Sequence, residues 1–174
     1  RVSLLIGFVA TAVAVIMGTA LGAVAGYHGG WIDDLLMRFT EIFQTIPGFL
    51  LALLMVAIFG PSLYSIVGAI SVISWPSVAR LVRAEFLSLR TRDFVKAAVL
   101  GGQTDLRIVF RQILPNTLSP IVVAASLMMA TAILLESAIS LLGLGDRRLI
   151  SRGFMIGAGR TTLLQSWWLS AIPG

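Results

Sequence analysis

Cysteine is absent from this sequence of 174 residues, and the only histidine is His28. The absence of cysteine excludes thiolate metal sites and a cysteine nucleophile, and a single histidine excludes a multi-histidine metal site. Lysine occurs once, as Lys96 followed by Ala97, so the nucleotide-binding pattern G-x-x-x-x-G-K-[ST] cannot form. H-E-x-x-H, G-x-S-x-G and paired catalytic carboxylates are also missing. The sequence therefore predicts no catalytic residue, no metal ligand and no ATP hydrolysis by this chain.

Charged residues are scarce. They make up 12% of the chain, against about 25% in soluble domains. Hydrophobic residues reach 57%, and the mean hydropathy is +0.96. The apolar residues fall into runs of about 20, the length a helix needs to cross a bilayer. The net charge is +5, and the basic residues lie between these runs and not in an aromatic-rich basic patch. A lipid bilayer is therefore the expected partner, and nucleic acid is not.

Four runs predict full membrane spans in an all-α, polytopic helical bundle: residues 2–26, 42–59, 63–82 and 118–142. Residues 28–41 are expected to form a short polar connection. Pro47, with Gly48, is expected to kink the second span or to delay its start, and Pro76 to kink the third. Trp167 and Trp168 mark the interfacial start of a fifth span. We expect residues 1–174 to be a single membrane domain, cut from a longer protein at both ends.

Small residues recur at every fourth position of the first span, as Ala14, Gly18, Gly22 and Gly26. This spacing puts them on one helix face, where they let another helix approach closely. Helix packing is the favoured interpretation of this face. A role in lining a transport pathway stays open.

The most polar stretch, residues 79–115, holds seven of the thirteen basic residues and is predicted to be cytoplasmic. Four arginines in the outer segment, residues 142–166, weaken that assignment without reversing it. Asp93 is expected to cap a short helix that ends at Gly101 and Gly102, and Thr104 or Asp105 a second helix that ends at Pro115.

In the second helix, one predicted face is apolar and carries Leu106, Val109, Phe110 and Ile113. Two interpretations of this helix pair remain open. It packs on its own membrane domain, or it forms a docking surface for a soluble partner.

Residues in and around this polar stretch resemble a known family. Type I (MetI-like) ATP-binding-cassette (ABC) importer permeases carry a loop with the pattern E-A-A-x-x-x-G that ends in L-P. This sequence is similar to that loop at Lys96-Ala97-Ala98, Gly102 and the terminal Leu114-Pro115. More specific matches point to the dipeptide, oligopeptide and nickel branch, and they cover nearly the whole chain: Trp75, Ala79-Arg80, Arg83, Asp105 to Arg111, Leu135-Glu136-Ser137-Ala138, and Leu142 to Gly145.

The resemblance implies a permease subunit that forms half of a translocation pathway in a bacterial or archaeal cell membrane. The implied cargo is a dipeptide, an oligopeptide or a related solute such as a nickel chelate. The implied partners are a second permease, two cytoplasmic ATPases that use ATP and Mg²⁺, and an extracytoplasmic substrate-binding protein. Coupling to the ATPases would run through residues 93–115, with these candidate residues: Asp93, Lys96, Ala97, Ala98, Gly101, Gly102, Leu106 and Pro115.

The sequence departs from the family pattern at several positions. Lys96 stands where the family usually has Glu, and Gln112 where an aliphatic residue is usual. Arg152 replaces a usual Trp, and the usual outer-loop prolines are missing. The first change leaves the Ala-Ala and Gly geometry intact, whereas the changes in the outer loop leave the conformation of that loop open.

Glu136 is the one acidic residue deep in a predicted span. Intramembrane carboxylates usually face the bundle interior, so a hydrogen-bonded structural role is favoured and a pathway-facing role stays open. The main rival function is a secondary transporter, which also uses helices broken by Gly and Pro. The sequence shows no second inverted copy, and such a transporter needs no cytoplasmic loop of this length. A membrane-embedded enzyme is the second rival, and the missing catalytic motifs disfavour it.

Overall fold

A computed structural model describes residues 2–144, and these residues form helices and turns without a strand. The helices are α1 (Val2–His28), α2 (Gly30–Thr45), α3 (Gly48–Phe59), α4 (Leu63–Leu89), α5 (Asp93–Leu100), α6 (Asp105–Ile108) and α7 (Leu114–Ile139). Two π-helical turns, Val109–Ile113 and Ser140–Leu144, precede and follow α7. The all-α fold predicted from the sequence is confirmed.

Three helical stretches are long and apolar enough to cross a membrane: Ser3–His28, Leu63–Leu89 and Asp105–Leu142. The broken pair α2 and α3 makes a fourth if it counts as one span. The chain is therefore a multi-pass membrane protein. The predicted fifth span at Trp167 and Trp168, and the outer segment 145–166, lie outside the described residues.

The second predicted span, residues 42–59, is wrong as a single helix, but the delayed start predicted from Pro47 and Gly48 is confirmed. Its apolar part begins only at Gly48, because Pro47 has no N–H and favours an extended conformation in the residue before it. The resulting α3 has 12 residues, which is short against the roughly 20 needed to span a bilayer. The predicted polar connection at residues 28–41 is also wrong. It forms the amphipathic helix α2, whose charged residues were mistaken for a loop.

The third and fourth spans also differ from their predicted ends. Helix α4 contains Pro76 and runs seven residues past Val82, to Leu89. The predicted break at Pro115 is wrong, because one helical stretch continues from Asp105 to Leu142. Pro115 is the second residue of α7, and proline is tolerated in the first turn of a helix, where an N–H often has no partner within that helix.

The described residues divide into two compact units, and helices α1, α4 and α7 contribute to both. The first unit comprises residues 2–13, 46–73 and 127–144. Its core is formed by aliphatic side chains of four helices: Ile6, Ala10, Ala52, Val56, Ile66, Ala69, Ile70, Ala132 and Ile139. Ser71 adds a buried polar contact, because its hydroxyl donates to the carbonyl of Ala10 at 3.1 Å.

The second unit comprises residues 14–45 and 74–126, and it contains the whole predicted coupling region. Its buried side chains include Trp75, Val78, Val82 and Phe86 of α4. The rings of Phe39 and Phe43, on α2, pack against Trp75 with centroid separations of 6.0 and 5.4 Å. These contacts place α2 against α4 in this unit.

Candidate coupling site

Helices α1 and α4 pack closely through the small-residue face predicted from the sequence. Ala14 is completely buried. A Cβ atom added at Gly18 would lie 2.5 Å from Cβ of Val78, and one at Gly26 would lie 2.6 Å from Cβ of Phe86. At Gly22 an added Cβ would meet the carbonyl oxygen of Ala79. This face is therefore occupied by helix packing inside the chain, because no larger side chain fits there without moving α4.

A buried ion pair joins α2 to the same part of α4. The guanidinium of Arg83 donates to both carboxylate oxygens of Asp33, through Nε to Oδ1 and Nη2 to Oδ2. Asp33 is only 6% exposed. Such a two-point bond is geometrically specific, so it fixes the amphipathic helix against the end of the span.

Arg90 ties the end of α1 to the chain just after α4. Its Nη1 donates to the carbonyl oxygens of Tyr27 at 2.9 Å and Gly26 at 3.4 Å. The last carbonyls of a helix have no partner within it, and a cation there also interacts favourably with the helix dipole. The turn that leads into α5 therefore starts from a fixed point at the end of α1.

Helix α5 begins at Asp93, as its position in the sequence predicts, but Asp93 does not cap it. The N-cap residue of α5 is Arg92, and no side chain forms a capping hydrogen bond there. Thr104 occupies the N-cap position of α6, but its side chain forms no capping hydrogen bond. The predicted capping roles are therefore wrong. The Asp93 side chain is fully exposed, and its Oδ1 lies 3.6 Å from Nζ of Lys96.

Gly102 ends α5 in the left-handed conformation, with φ of +71°. The N–H of Gly102 donates to the carbonyl of Val99 at 3.0 Å, and the N–H of Gln103 to that of Ala98 at 3.2 Å. These two bonds form a Schellman motif, in which glycine is the preferred residue at the left-handed position. Gly101 has an ordinary φ of −74°. The two glycines therefore differ in how strictly the turn requires them.

Two side-chain hydrogen bonds hold the start of the second short helix. The hydroxyl of Tyr27, at the end of α1, donates to Oδ1 of Asp105 at 2.6 Å. Nε2 of Gln112 donates to Oε1 of Gln103 at 3.0 Å, so the residue that departs from the family pattern links the π-helical turn to the loop after α5. The first bond thus attaches the helix pair to the end of α1, and the second joins two parts of the pair to each other.

The two faces of α5 differ sharply in exposure. Val95 and Ala98 are buried, whereas Lys96, Ala97 and the residues from Val99 to Gly102 are exposed. Of the two alanines predicted to let a partner approach, only Ala97 is exposed. Leu100 is 89% exposed. With Val99, which is 56% exposed, Leu100 leaves two adjacent apolar side chains open at the end of the helix.

The predicted apolar face of the second helix is only partly buried. Ile113 is completely buried and so is Ile108, which the prediction omitted, but Leu106 and Phe110 are 72% and 65% exposed. Leu106, Val109 and Phe110 line an open apolar groove of about 720 Å³ between α1 and the start of α7. The π-helical turn explains the difference, because it shifts the register that ideal helical spacing assumes.

Glu136 lies in α7 and is 1% exposed. Its Oε1 accepts a hydrogen bond of 2.7 Å from the hydroxyl of Ser140, one turn further on, at the start of the second π-helical turn. Its Oε2 is buried and has no hydrogen-bond partner among the described residues. The carboxylate is thus half-satisfied within its own helix.

Sequence reasoning did not find the pairs Asp33–Arg83 and Tyr27–Asp105, nor the role of Arg90. Asp33 and Arg83 are 50 positions apart in the sequence, and Tyr27 and Asp105 are 78 apart. The only signal was indirect, since Arg83 and Asp105 lie in stretches that resemble the family.

Comparison with known proteins identifies the family of the chain. The family profile described as the binding-protein-dependent transport system inner membrane component matches residues 18–169. The chain belongs to this family. It is 43% identical to the dipeptide transport system permease protein DppC of Alkalihalophilus pseudofirmus, a match that covers 100% of the chain and 58% of that relative.

Two further relatives of this chain have similar names. The oligopeptide transport system permease protein OppC of Haemophilus influenzae is 39% identical over 99% of the chain and 56% of the relative. The di/tripeptide transport system permease protein DppC of Pseudomonas aeruginosa is 38% identical over 100% of the chain and 58% of the relative. The chain spans less than three fifths of the length of each of these three relatives.

Proposed function

We propose that this chain is a permease subunit of an ATP-driven importer and forms half of the translocation pathway for dipeptides or oligopeptides. The printed names of the relatives, which are di-, tri- and oligopeptide permeases, support the peptide class. A related solute such as a nickel chelate fits the same branch. The proposed location is a bacterial or archaeal cell membrane, with residues 93–115 on the cytoplasmic side.

The observation that carries the proposal is the exposed helix pair of residues 93–115. Its α5 leaves Ala97, Leu100 and Gly102 open, while Tyr27 and Arg90 tie the pair to the end of a membrane span. A rigidly attached, partly apolar surface outside the spans suits a coupling element. Force applied to it by a soluble partner passes directly to α1.

In the proposed complex a second permease completes the pathway, and two cytoplasmic ATPases bind the coupling elements. A substrate-binding protein delivers the cargo from outside. ATP and Mg²⁺ are used by the ATPases, and this chain supplies binding and motion without covalent chemistry. When the ATPases close, they move residues 93–115, and the attached spans change which side of the membrane the pathway faces.

The experiment is peptide uptake by cells that carry the complete importer. Replacing the phosphate-binding lysine of the ATPase partner should abolish uptake, whereas a proton ionophore should leave uptake intact for as long as cellular ATP is maintained. A secondary transporter predicts the opposite pattern, with uptake lost in the ionophore and unaffected by the ATPase substitution. Membrane levels of this chain, measured in parallel, serve as the control.

A further inference from the structure

A small pocket lies beside α5, on the exposed part of the predicted coupling element. Its volume is about 370 Å³, and five residues line it: Arg90, Val95, Lys96, Val99 and Leu100. Two of these side chains are cationic, three are aliphatic, and none is acidic. The pocket is therefore positive at its rim and apolar along its walls.

Both cations can accept a new anionic partner. The contact between Lys96 and Asp93 is 3.6 Å long and largely exposed to solvent, and such surface ion pairs are weak. Arg90 uses Nη1 to hold the carbonyl of Tyr27. A guanidinium has five N–H donors, so Arg90 can keep this bond and still donate into the pocket.

We propose that this pocket receives an acidic side chain, aspartate or glutamate, from the cytoplasmic ATPase partner. The inference rests on the proposed function and adds the chemistry of the contact. A carboxylate would meet the cations of Arg90 and Lys96, while its methylene groups would contact Val95, Val99 and Leu100. The shape and the charge of the pocket both favour this occupant over a basic or purely apolar side chain.

Lys96 also makes the contact specific. The family pattern usually carries Glu at this position, so an ATPase that presents a basic side chain there would meet the cationic pocket of this chain and be repelled. Like charges brought together at an interface are a strong device for excluding wrong partners. This chain therefore pairs, in the proposed complex, with an ATPase that presents an acidic side chain to Lys96.

The test uses the complete importer, purified through a tag on this chain and reconstituted in vesicles. Two quantities are measured: the retention of ATPase subunits on the tagged permease, and ATP hydrolysis stimulated by the binding protein. Lys96→Glu should lower both about tenfold, whereas Lys96→Arg should leave both near wild type, because the loss of an interfacial charge pair is large only when the charge itself is lost. Arg38→Glu is the matched control, since Arg38 is exposed on α2, lies outside residues 93–115 and does not line the pocket.

Each other result has a defined meaning. If Lys96→Glu behaves as wild type while Gly102→Asp abolishes stimulation, the coupling element is correct and the acidic contact is wrong. If both variants behave as wild type, residues 93–115 are not the coupling element and the contact proposed here fails with it, whereas the uptake test above decides the proposed function. If Lys96→Glu and Arg38→Glu lose activity equally, only overall charge matters and the pocket has no special role.

The lipid composition of the vesicles separates a lipid occupant from a protein one. The Lys96→Glu defect should be the same in phosphatidylcholine vesicles and in vesicles that contain phosphatidylglycerol. A defect seen only with phosphatidylglycerol would mean that an anionic headgroup, and not the ATPase, occupies the pocket. That result would overturn the proposal.

Discussion

Tyr27 donates a hydrogen bond of 2.6 Å to the carboxylate of Asp105 and thereby joins the last turn of α1 to the first residue of α6. The bond links a membrane span to the exposed helix pair without an intervening flexible segment. Arg90 reinforces the same corner through the carbonyl of Tyr27. The end of α1 is therefore the place where motion of the helix pair would enter the membrane.

The first prediction concerns that bond. Tyr27→Phe keeps the ring and removes the hydroxyl, which should cost roughly 1 kcal/mol because the contact is partly exposed. Amide exchange at residues 103–108, followed by mass spectrometry, should become about fivefold faster, while insertion is unchanged. Tyr64→Phe, at the only other tyrosine, is the control and should change nothing. Unchanged exchange in Tyr27→Phe would mean that the bond does not hold the pair.

The second prediction concerns the buried ion pair of Asp33 and Arg83. Asp33→Asn leaves a guanidinium without its charge partner. The cost should be about 2 kcal/mol, below the roughly 3–5 kcal/mol of a fully buried pair, because a third of the Arg83 side chain is exposed. The midpoint of thermal unfolding in detergent should fall by several degrees. Asp34→Asn, at the exposed neighbouring position, should lower the midpoint much less, because Asp34 acts on Arg83 through charge alone. Equal shifts in both variants would contradict a specific pair.

Local signals in the sequence predicted some of the fold well. Pro47 and Gly48 gave the start of α3, and the glycines after Leu100 gave the end of α5, because backbone restrictions act within a few residues. Helix α2 was missed because Asp33, Asp34 and Arg38 resemble a polar loop when their spacing is ignored. Its helical form depends on burying one face, which requires the packing partner to be known.

The third prediction tests the small-residue face of α1. Gly22→Val should prevent stable assembly, because even a Cβ at this position would collide with the backbone of Ala79. Ala20→Val is the matched control, since Ala20 lies two residues away and is exposed. The fraction of purified protein that elutes as a single species in size-exclusion chromatography measures the effect. A monodisperse Gly22→Val protein would show that α1 and α4 can separate at no cost.

The fourth prediction concerns Glu136. Glu136→Gln keeps an oxygen that can accept the hydroxyl of Ser140, so assembly and most transport should remain. Glu136→Leu removes that acceptor and leaves the buried hydroxyl of Ser140 without this hydrogen bond, at a cost of about 1–3 kcal/mol. Assembly and peptide uptake should both decrease in Glu136→Leu. Full activity in the Leu variant would show that the carboxylate is dispensable.

The candidate site was predicted less completely than the fold. The sequence indicated the helix pair and its glycine turn, because Gly102 and the small residues before it follow a local pattern. It did not show that Ala98 is buried and Ala97 exposed, nor that one helical stretch with a π-helical turn continues past Pro115. Both features depend on how the pair packs against the end of α1, which no local pattern contains.

The central claim is that residues 93–115 couple this permease to its ATPases, and Gly102 is its most sensitive point. A residue with a side chain is disfavoured at φ of +71°, by roughly 1–2 kcal/mol for most residues. A Cβ at Gly102 would meet no atom within 4 Å. The effect of a substitution would therefore come from the turn itself and from a partner pressed against it. A charged side chain adds a desolvation cost at that contact.

The direct measurement is ATP hydrolysis by the reconstituted importer, with and without its binding protein. Gly102→Asp should insert into the membrane normally and lose the stimulation by the binding protein. Gly101→Ala should retain most of it, because Gly101 has an ordinary φ of −74°. Wild-type stimulation in Gly102→Asp would contradict the account, since the helix pair could then not be the coupling element.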